Sequence, residues 1–183
     1  MRQTWSARKI AFLAMAIALA VVIEIVCSMY LRMPQGGSFS LVMVPIAIVG
    51  YFYGIGPAVM TALAAGVLQG LFVPPTFVNF MQYFLDYICG FAVLGFATMF
   101  IKKSDRDDNK KLVLHLMEGI VIVYIVKYLC HVITGTLFFA EYAGDQIVIL
   151  YSLTYNLTYV APSLVAALVV TPPALLAVKK LPH

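Results

Sequence analysis

Apolar residues follow one another in long runs along this chain, and short segments rich in polar residues, glycine or proline separate the runs. A helix that crosses a bilayer needs about 20 mainly apolar residues, and most of the runs reach that length. The pattern predicts six helices, at about residues 8–31, 40–53, 55–73, 77–101, 112–139 and 147–178. A turn between Gly50 and Pro57 separates the short second helix from the third. We therefore expect an all-α membrane protein, with residues 1–183 forming a single integral membrane domain.

The composition supports this interpretation. Hydrophobic residues make up 63% of the chain and charged residues only 11%, and the mean hydropathy is +0.97. A water-soluble domain of this size does not carry so much apolar surface, whereas a protein that crosses the lipid bilayer several times does.

The positive charges predict the orientation of the bundle. Ten of the twelve Lys and Arg residues lie in segments 2–9, 102–111 and 179–180, and only Arg32 and Lys127 lie elsewhere. Because short cytoplasmic segments collect Lys and Arg, both termini are expected in the cytoplasm, which requires an even number of helices. The net charge of +4 mostly reflects this bias, so no nucleic-acid partner is expected.

The fourth predicted helix carries an acidic residue in its outer half. Gln82, Asp86 and Cys89 share one helical face by their i, i+4, i+7 spacing, and Tyr87 lies on the adjacent stripe. An ionised carboxylate in hydrocarbon costs roughly 3 kcal/mol or more, so it is found facing a protein interior or a wet cavity. Asp86 therefore marks a candidate site.

Polar residues of other helices are expected at the same depth. Lys127 and His131 form an i, i+4 pair on the fifth helix, Tyr151 and Asn156 lie near the outer end of the sixth, and Glu24 lies in the outer half of the first. Together they predict a binding pocket. A structural alternative is that the tyrosines form an interfacial belt, or that Lys127 merely neutralises a carboxylate.

The loops and helix crossings allow two further expectations. The turn-rich segment 32–40 either covers an outward-facing pocket or only connects two helices. Gly66 and Gly70 form a GxxxG pattern that predicts a close helix crossing, and Pro74 and Pro75 are expected to end the third helix in an external turn.

Common catalytic motifs are absent from the sequence. It contains no P-loop, no His-Glu-x-x-His and no Gly-x-Ser-x-Gly, so no ATPase, metal site, catalytic residue or cofactor is expected. The pattern favours a binding subunit that relies on a separate ATPase. One alternative is a proton-coupled secondary transporter that uses Asp86 or Glu24 with Lys127. Another is an intramembrane enzyme with Asp86 and His131 as acid and base.

Several segments resemble a known family in their order and spacing. They are GGSFSLVMVPIAIVGYFYGIGPAVMTALAAGVLQGLF, QYFLDYICGFAVLGFA, KYLCHVITGTLFFAEYA and YSLTYNLTYVAPSLVAAL. The chain is similar, from about Gly36 to Leu168, to the thiamine-specific substrate-binding (S) components of energy-coupling factor (ECF) vitamin importers.

The resemblance implies a bundle of six transmembrane helices in the bacterial cell membrane that captures thiamine from outside. Uptake would then require a transmembrane coupling subunit and two cytosolic ATPase subunits. The family's binding residues correspond here to Asp86, Tyr87, His131, Phe139, Tyr151 and Asn156, and Glu24, Gln82 and Lys127 are further candidates. An aminopyrimidine suits Asp86 and Asn156, and a thiazolium cation suits aromatic faces near a carboxylate.

Two features of the resemblance leave alternatives open. Family pockets usually contain tryptophans, but the only Trp here is Trp5, and Phe139 occupies a position where a Trp is expected. Phe is a weaker cation-π partner, so the ligand is either thiamine or a relative such as its pyrimidine precursor. The family docks its coupling subunit through an Ala-x-x-x-Ala pattern on the first helix, which both Ala14/Ala18 and Ala16/Ala20 fit.

Overall fold

The computed structural model describes residues 5–34, 37–72 and 79–180, and within them the regular structure is helical, without a β-strand. Six helical segments run in chain order: α1 (Ala7–Tyr30), α2 (Met43–Tyr53), α3 (Ile55–Phe72), α4 (Phe80–Phe96), α5 (Asn109–Phe138) and α6 (Val148–Val178). Short 3-10 turns lie at Lys103–Asp107 and Ala140–Ala143.

Each of the six predicted runs coincides with one helical segment. Four of the described helices, α1, α3, α5 and α6, are long and apolar enough to cross a membrane, whereas α2 and α4 are shorter. Parts of some predictions lie outside the described residues, namely Arg2, residues 35–36 of the loop, Val73 at the end of the third helix, the turn at Pro74 and Pro75, and residues 77–78 of the fourth helix.

Some helix ends differ from the prediction for identifiable reasons. Helix α2 begins at Met43 instead of residue 40 because Ser40 lies in the preceding segment, where its backbone N–H donates to Ser163 Oγ at 3.0 Å. Helix α5 begins at Asn109 instead of residue 112 because the Asp108 side chain caps it, accepting from the backbone N–H groups of Lys110 and Lys111.

Helix α4 is irregular, which the apolar pattern did not indicate. Phe84–Cys89 is a π-helix, in which the Gly90 N–H donates to the Leu85 carbonyl, five residues earlier. The last turn, Val93–Phe96, is a 3-10 helix, and residues 97–100 form turns. Few helices contain a π-helical segment, and those segments often lie at functional sites. This irregularity therefore singles out the part of α4 that carries Asp86 and Tyr87.

One end of the bundle, which we call the basic end, brings together several of the basic segments. Arg106 Nη2 donates to the Tyr51 carbonyl at 2.6 Å, and its guanidinium lies 4.6 Å from the centre of the Tyr51 ring. Lys179 Nζ donates to the Arg106 carbonyl at 3.2 Å. The Lys9 ammonium lies 5.5 Å from the centre of the Tyr53 ring. The start of α1, the end of α2, the α4–α5 connection and the end of α6 therefore lie together.

A buried carboxylate organises the α4–α5 connection. Asp105 Oδ2 accepts from the Lys102 backbone N–H and lies 2.7 Å from His115 Nδ1. The hydrogen bond from Lys102, followed by the hydrogen bond and ionic attraction of His115, holds the pKa of Asp105 below its usual value, despite an opposing effect of burial. This carboxylate therefore stabilises the connection in its ionised form.

Small residues allow the helices to pack closely. A Cβ atom on Gly66 would lie 2.2 Å from the Tyr87 carbonyl oxygen, and one on Gly70 would lie 2.3 Å from the Tyr83 ring. The crossing predicted from the GxxxG pattern is thus confirmed, between α3 and α4. Gly119 of α5 is similarly close to the turn that follows α4, since its Cβ would lie 1.9 Å from the Ala97 carbonyl oxygen.

The structure separates the two alanine registers of α1. Ala16 and Ala20 are buried in the core, with exposed fractions of 8% and 0%, so they are unavailable to a partner protein. The expectation that Ala16 and Ala20 dock a coupling subunit is therefore corrected. Ala14 and Ala18, by contrast, lie on the exposed face of the helix.

Candidate binding cavity

A cavity of about 120 Å³ lies in the half of the bundle that is remote from the basic end. Its wall contains residues of α1, α3, α4, α5 and α6 and of the segment before α2. The lining residues are Glu24, Gly37, Ser38, Ser40, Gln69, Gln82, Asp86, Tyr87, Phe91, Tyr124, Lys127, His131, Thr134, Gly135, Phe139, Tyr142, Tyr151, Ser152, Tyr155, Asn156, Tyr159, Val160 and Ser163. All nine residues that the sequence suggested for ligand binding are among them.

Asp86 is held from two sides. Gln82 Nε2 donates to Asp86 Oδ2 at 2.8 Å, and His131 Nδ1 lies 2.8 Å from Asp86 Oδ1. Because a carboxylate only accepts hydrogen bonds, His131 Nδ1 carries the hydrogen, and Nε2 of a neutral imidazole is an acceptor. The side chains of Asp86 and His131 are 15% and 13% exposed. The pair therefore presents both a carboxylate and an imidazole to the cavity.

A second polar group surrounds Asn156 on α6. Its amide Nδ2 donates to the Ser152 carbonyl at 2.8 Å and lies 3.2 Å from Ser152 Oγ, and its Oδ1 accepts from the Tyr159 hydroxyl. Tyr159 also meets His131 edge to face, with ring centres 5.9 Å apart. These bonds fix the orientation of the Asn156 amide and link α6 to the Asp86–His131 pair.

Glu24 forms the centre of a third group. The Ser40 hydroxyl donates to Glu24 Oε1, and Gln69 Nε2 donates to Glu24 Oε2 at 2.9 Å. Glu24 is only 2% exposed. The buried carboxylate is thus hydrogen-bonded at both oxygens, as a buried charge requires.

Lys127 is a buried cation on the same wall, 8% exposed. Its ammonium lies 4.3 Å from the centre of the Phe91 ring and interacts electrostatically with Glu24 and Asp86. In the described part of the chain it forms neither a hydrogen bond nor an ion pair within 4.0 Å. Lys127 therefore balances both carboxylates at a distance instead of neutralising one by direct contact.

Aromatic rings complete the wall. Tyr151 and Tyr155 stack with ring centres 5.9 Å apart and an angle of 11° between their planes. The ring of Tyr87 stacks on Tyr83 at 5.1 Å. Phe139 lines the cavity where α5 ends. These rings offer flat surfaces to a heteroaromatic or cationic ligand.

The segment before α2 closes part of the cavity. Gly37 N–H donates to the Tyr155 hydroxyl at 3.1 Å, and the Ser38 and Ser28 hydroxyl oxygens are 3.3 Å apart. A Cβ atom at Gly37 would lie 2.3 Å from the Tyr159 ring, so only glycine permits this close approach. This position agrees with the expectation that the segment covers a pocket.

Sequence reasoning missed several lining residues and misplaced one. Gln69 could have been selected because it is a polar residue inside an apolar run, whereas Phe91 and Tyr142 look like ordinary membrane residues. Cys89, expected on the face of Asp86, does not line the cavity. The wider turn of the π-helix explains this, because the i, i+7 relation holds only for a regular α-helix.

These features define a class of protein. An apolar helical bundle with membrane-spanning helices encloses a cavity lined by two carboxylates, an ammonium, an imidazole and many aromatic rings. Buried ionisable residues within membrane helices are characteristic of substrate and ion pathways. In the described residues, no three His, Cys, Asp or Glu side chains are grouped as a metal site. The class is therefore a membrane protein with an internal site for a polar, aromatic ligand.

Comparisons with known proteins identify the family. Residues 10–182 match the family described as Thiamine transporter protein (Thia_YuaJ). The thiamine transporter ThiT of Bacillus subtilis (strain 168) is 35% identical over 164 residues, which are 86% of this chain and 85% of that protein. The structure of ThiT from Listeria monocytogenes shares the fold, with a TM-score of 0.74, 21% identity and coverage of 94% of this chain and 93% of the other.

The chain thus belongs to the thiamine transporter family. It is a transport protein and not an enzyme, which removes the intramembrane enzyme from the alternatives. With its membrane-spanning helices, it is a multi-pass protein of the bacterial cell membrane.

Proposed function

We propose that this protein is the substrate-binding subunit of an ECF-type importer and captures thiamine from the outside of the cell. The observation that carries the proposal is the hydrogen-bonded Asp86–His131 pair on the wall of the cavity, in a member of the thiamine transporter family. The 35% identity to a protein named thiamine transporter supports the choice of ligand.

The chemistry of the wall suits both rings of thiamine. The exocyclic amine of the aminopyrimidine donates to the Asp86 carboxylate, and a ring nitrogen accepts from a nearby amide or hydroxyl. The flat faces of Tyr87, Tyr151 and Phe139 enclose the rings, and they attract the positive charge of the thiazolium. His131 holds Asp86 in place, since its Nδ1 lies 2.8 Å from Asp86 Oδ1.

In this proposal all six helical segments belong to the transmembrane bundle, and both termini lie in the cytoplasm. The meeting of basic segments at one end supports this orientation, because cytoplasmic segments are enriched in Lys and Arg. The cavity lies in the other half and is then close to the outer surface, from which the vitamin arrives.

Transport requires partners that supply the energy. We propose a transmembrane coupling subunit and two cytosolic ATPases, with α1 docking through the exposed alanines Ala14 and Ala18. An Ala18→Trp variant should lose association with the coupling subunit but keep its thiamine affinity. The matched control is Val169→Trp at an exposed position of α6, which should keep both the association and the thiamine affinity. If Ala18→Trp still assembles normally, this docking face is wrong.

The test of the ligand is calorimetric titration of the purified protein with thiamine and with its pyrimidine precursor. The wild type should bind thiamine, and Asp86→Asn should weaken binding by about ten- to hundredfold, since a hydrogen bond to a charged group contributes about 1.5–3 kcal/mol. The control Glu118→Gln removes an exposed carboxylate of α5 outside the cavity and should bind as the wild type does. If only the precursor binds, the ligand is the precursor and not thiamine. If neither compound binds, the proposal is refuted.

A further inference from the structure

Three buried side-chain atoms lack a hydrogen-bond partner in the described part of the chain, namely Gln69 Oε1 and the hydroxyl oxygens of Tyr151 and Thr171. Such atoms are rare, because roughly nine in ten or more of the buried polar groups in native proteins are paired. Gln69 and Tyr151 line the cavity, whereas Thr171 does not. Buried polar atoms without partners on the wall of a cavity indicate that a bound molecule supplies the missing hydrogen bonds.

The unpaired atom of the Gln69 amide can only accept a hydrogen bond. Gln69 Nε2 donates to Glu24 Oε2 at 2.9 Å, and since a carboxylate only accepts, the amide must turn its nitrogen to Glu24 and leave its oxygen unpaired. Glu24 is itself held by the Ser40 hydroxyl, and Lys127 supplies the opposite charge. Gln69 is 7% exposed. The protein therefore holds a buried acceptor in a fixed orientation, for which the ligand must bring a donor.

The two carboxylates of the cavity belong to separate groups. Asp86 is held by Gln82 and His131, and neither of these contacts involves Glu24 or Gln69. Thiamine carries two groups with strong hydrogen-bond donors, the exocyclic amine of its aminopyrimidine ring and the hydroxyl of its hydroxyethyl chain. The proposed function places the amine at Asp86. The hydroxyl is then the donor that remains for Gln69.

We infer that Gln69 Oε1 accepts a hydrogen bond from the hydroxyl group of the ligand, which makes Gln69 a specificity-determining residue. Glu24 is a positioning residue in this arrangement, because it fixes the orientation of the Gln69 amide. The inference rests on the proposed function, since it takes the ligand to be thiamine. It assigns a part in recognition to α3, and it makes the free hydroxyl of the vitamin a determinant of affinity.

The test compares thiamine with its deoxy analogue, in which a hydrogen atom replaces the hydroxyl group. By calorimetric titration, the wild type should bind thiamine about two- to tenfold more tightly than the analogue, the usual net effect of one hydrogen bond. Gln69→Met keeps a side chain of similar length without the amide, so it should abolish this preference by weakening thiamine more than the analogue. The matched control is Gln82→Met, which removes the other glutamine that holds a carboxylate of the wall. It should weaken both compounds by the same factor and keep the preference.

A purely structural role of Gln69 gives a different result. If Gln69 only positions Glu24, Gln69→Met weakens both compounds by the same factor, the preference survives and the inference is wrong. Equal binding of the two compounds by the wild type also overturns it. In both cases the proposed function stands, because thiamine still binds, whereas a wild type that binds neither compound refutes the proposed function itself. If Gln69→Met does not fold, Gln69→Asn takes its place and should lose the preference in the same way, because its amide is one methylene group shorter.

Discussion

Replacing Gly66 by alanine should displace the part of α4 that carries the binding residues. A Cβ atom at this position would lie 2.2 Å from the Tyr87 carbonyl oxygen and 2.7 Å from Phe91 Cβ. Carbon and carbonyl oxygen atoms normally approach no closer than about 3.3 Å. Helix α3 and the π-helical segment must therefore separate by about 1 Å.

The size of the effect follows from the hydrogen bonds of Asp86. Gln82 lies on the same helix as Asp86 and moves with it, but His131 lies on α5, and a displacement of about 1 Å takes its 2.8 Å contact with Asp86 beyond the range of hydrogen bonds. Losing one bond to a charged group costs about 1.5–3 kcal/mol. The affinity for thiamine should consequently fall by about ten- to hundredfold, and overpacking should lower the free energy of unfolding by about 1–3 kcal/mol.

Calorimetric titration and thermal unfolding measure the two effects. The matched control is Gly56→Ala in the same helix, where a Cβ atom would meet nothing within 4 Å, so both properties should remain close to those of the wild type. If Gly66→Ala binds thiamine within twofold of the Gly56→Ala control, the packing of α3 does not position Asp86 and the reasoning is refuted.

Three other variants test separate parts of the account. Phe139→Trp should raise thiamine affinity about two- to fivefold in a calorimetric titration, since a stronger cation-π partner adds about 0.5–1 kcal/mol. The control Phe96→Trp, at an exposed position, should leave the affinity unchanged. An equal gain in both variants would contradict the role of residue 139 as a cation-π partner of the ligand. Lys127→Met removes the cation that interacts with both carboxylates, so its melting temperature without thiamine should be lower than that of the wild type. Addition of thiamine should then raise the melting temperature of the variant by more than it raises that of the wild type. An unchanged melting curve would contradict the role of Lys127 in balancing the two carboxylates. Asp105→Asn should melt below the wild type at pH 6, and the difference should shrink as the pH falls below 3.8, because a carboxyl whose folded pKa is lowered from 3.8 stabilises the fold above that value and loses the effect as the pH falls through the folded pKa. A difference that does not shrink at all in acid would show that the ionised form is not responsible.

The helices and much of the cavity could be predicted because both depend on local signals. Apolar runs specify membrane helices directly, and an acidic, basic or amide side chain inside such a run is conspicuous. This is why Asp86, Lys127 and Asn156 could be selected from the sequence and why the structure places them on one wall. Gln69 gives the same kind of signal, since it is an amide inside an apolar run.

Other features depend on contacts that no local pattern encodes. The π-helix in α4 packs against Gly66 of α3, and it removes Cys89 from the face that regular spacing predicted. The position of Ser40 outside α2 follows from its bonds to Glu24 and Ser163, far away in the chain. The choice between the two alanine registers of α1 likewise required the packed structure, because both have the same spacing.

A crystal structure of this protein with thiamine bound would test the central claim most directly. The account predicts one thiamine in the cavity, with its aminopyrimidine amine within about 3 Å of the Asp86 carboxylate and its thiazolium ring against the aromatic side chains of the wall. A thiamine whose aminopyrimidine ring lies away from Asp86 would contradict the role of this carboxylate in recognition. A thiamine bound elsewhere, with this cavity filled only by solvent, would contradict the proposed function.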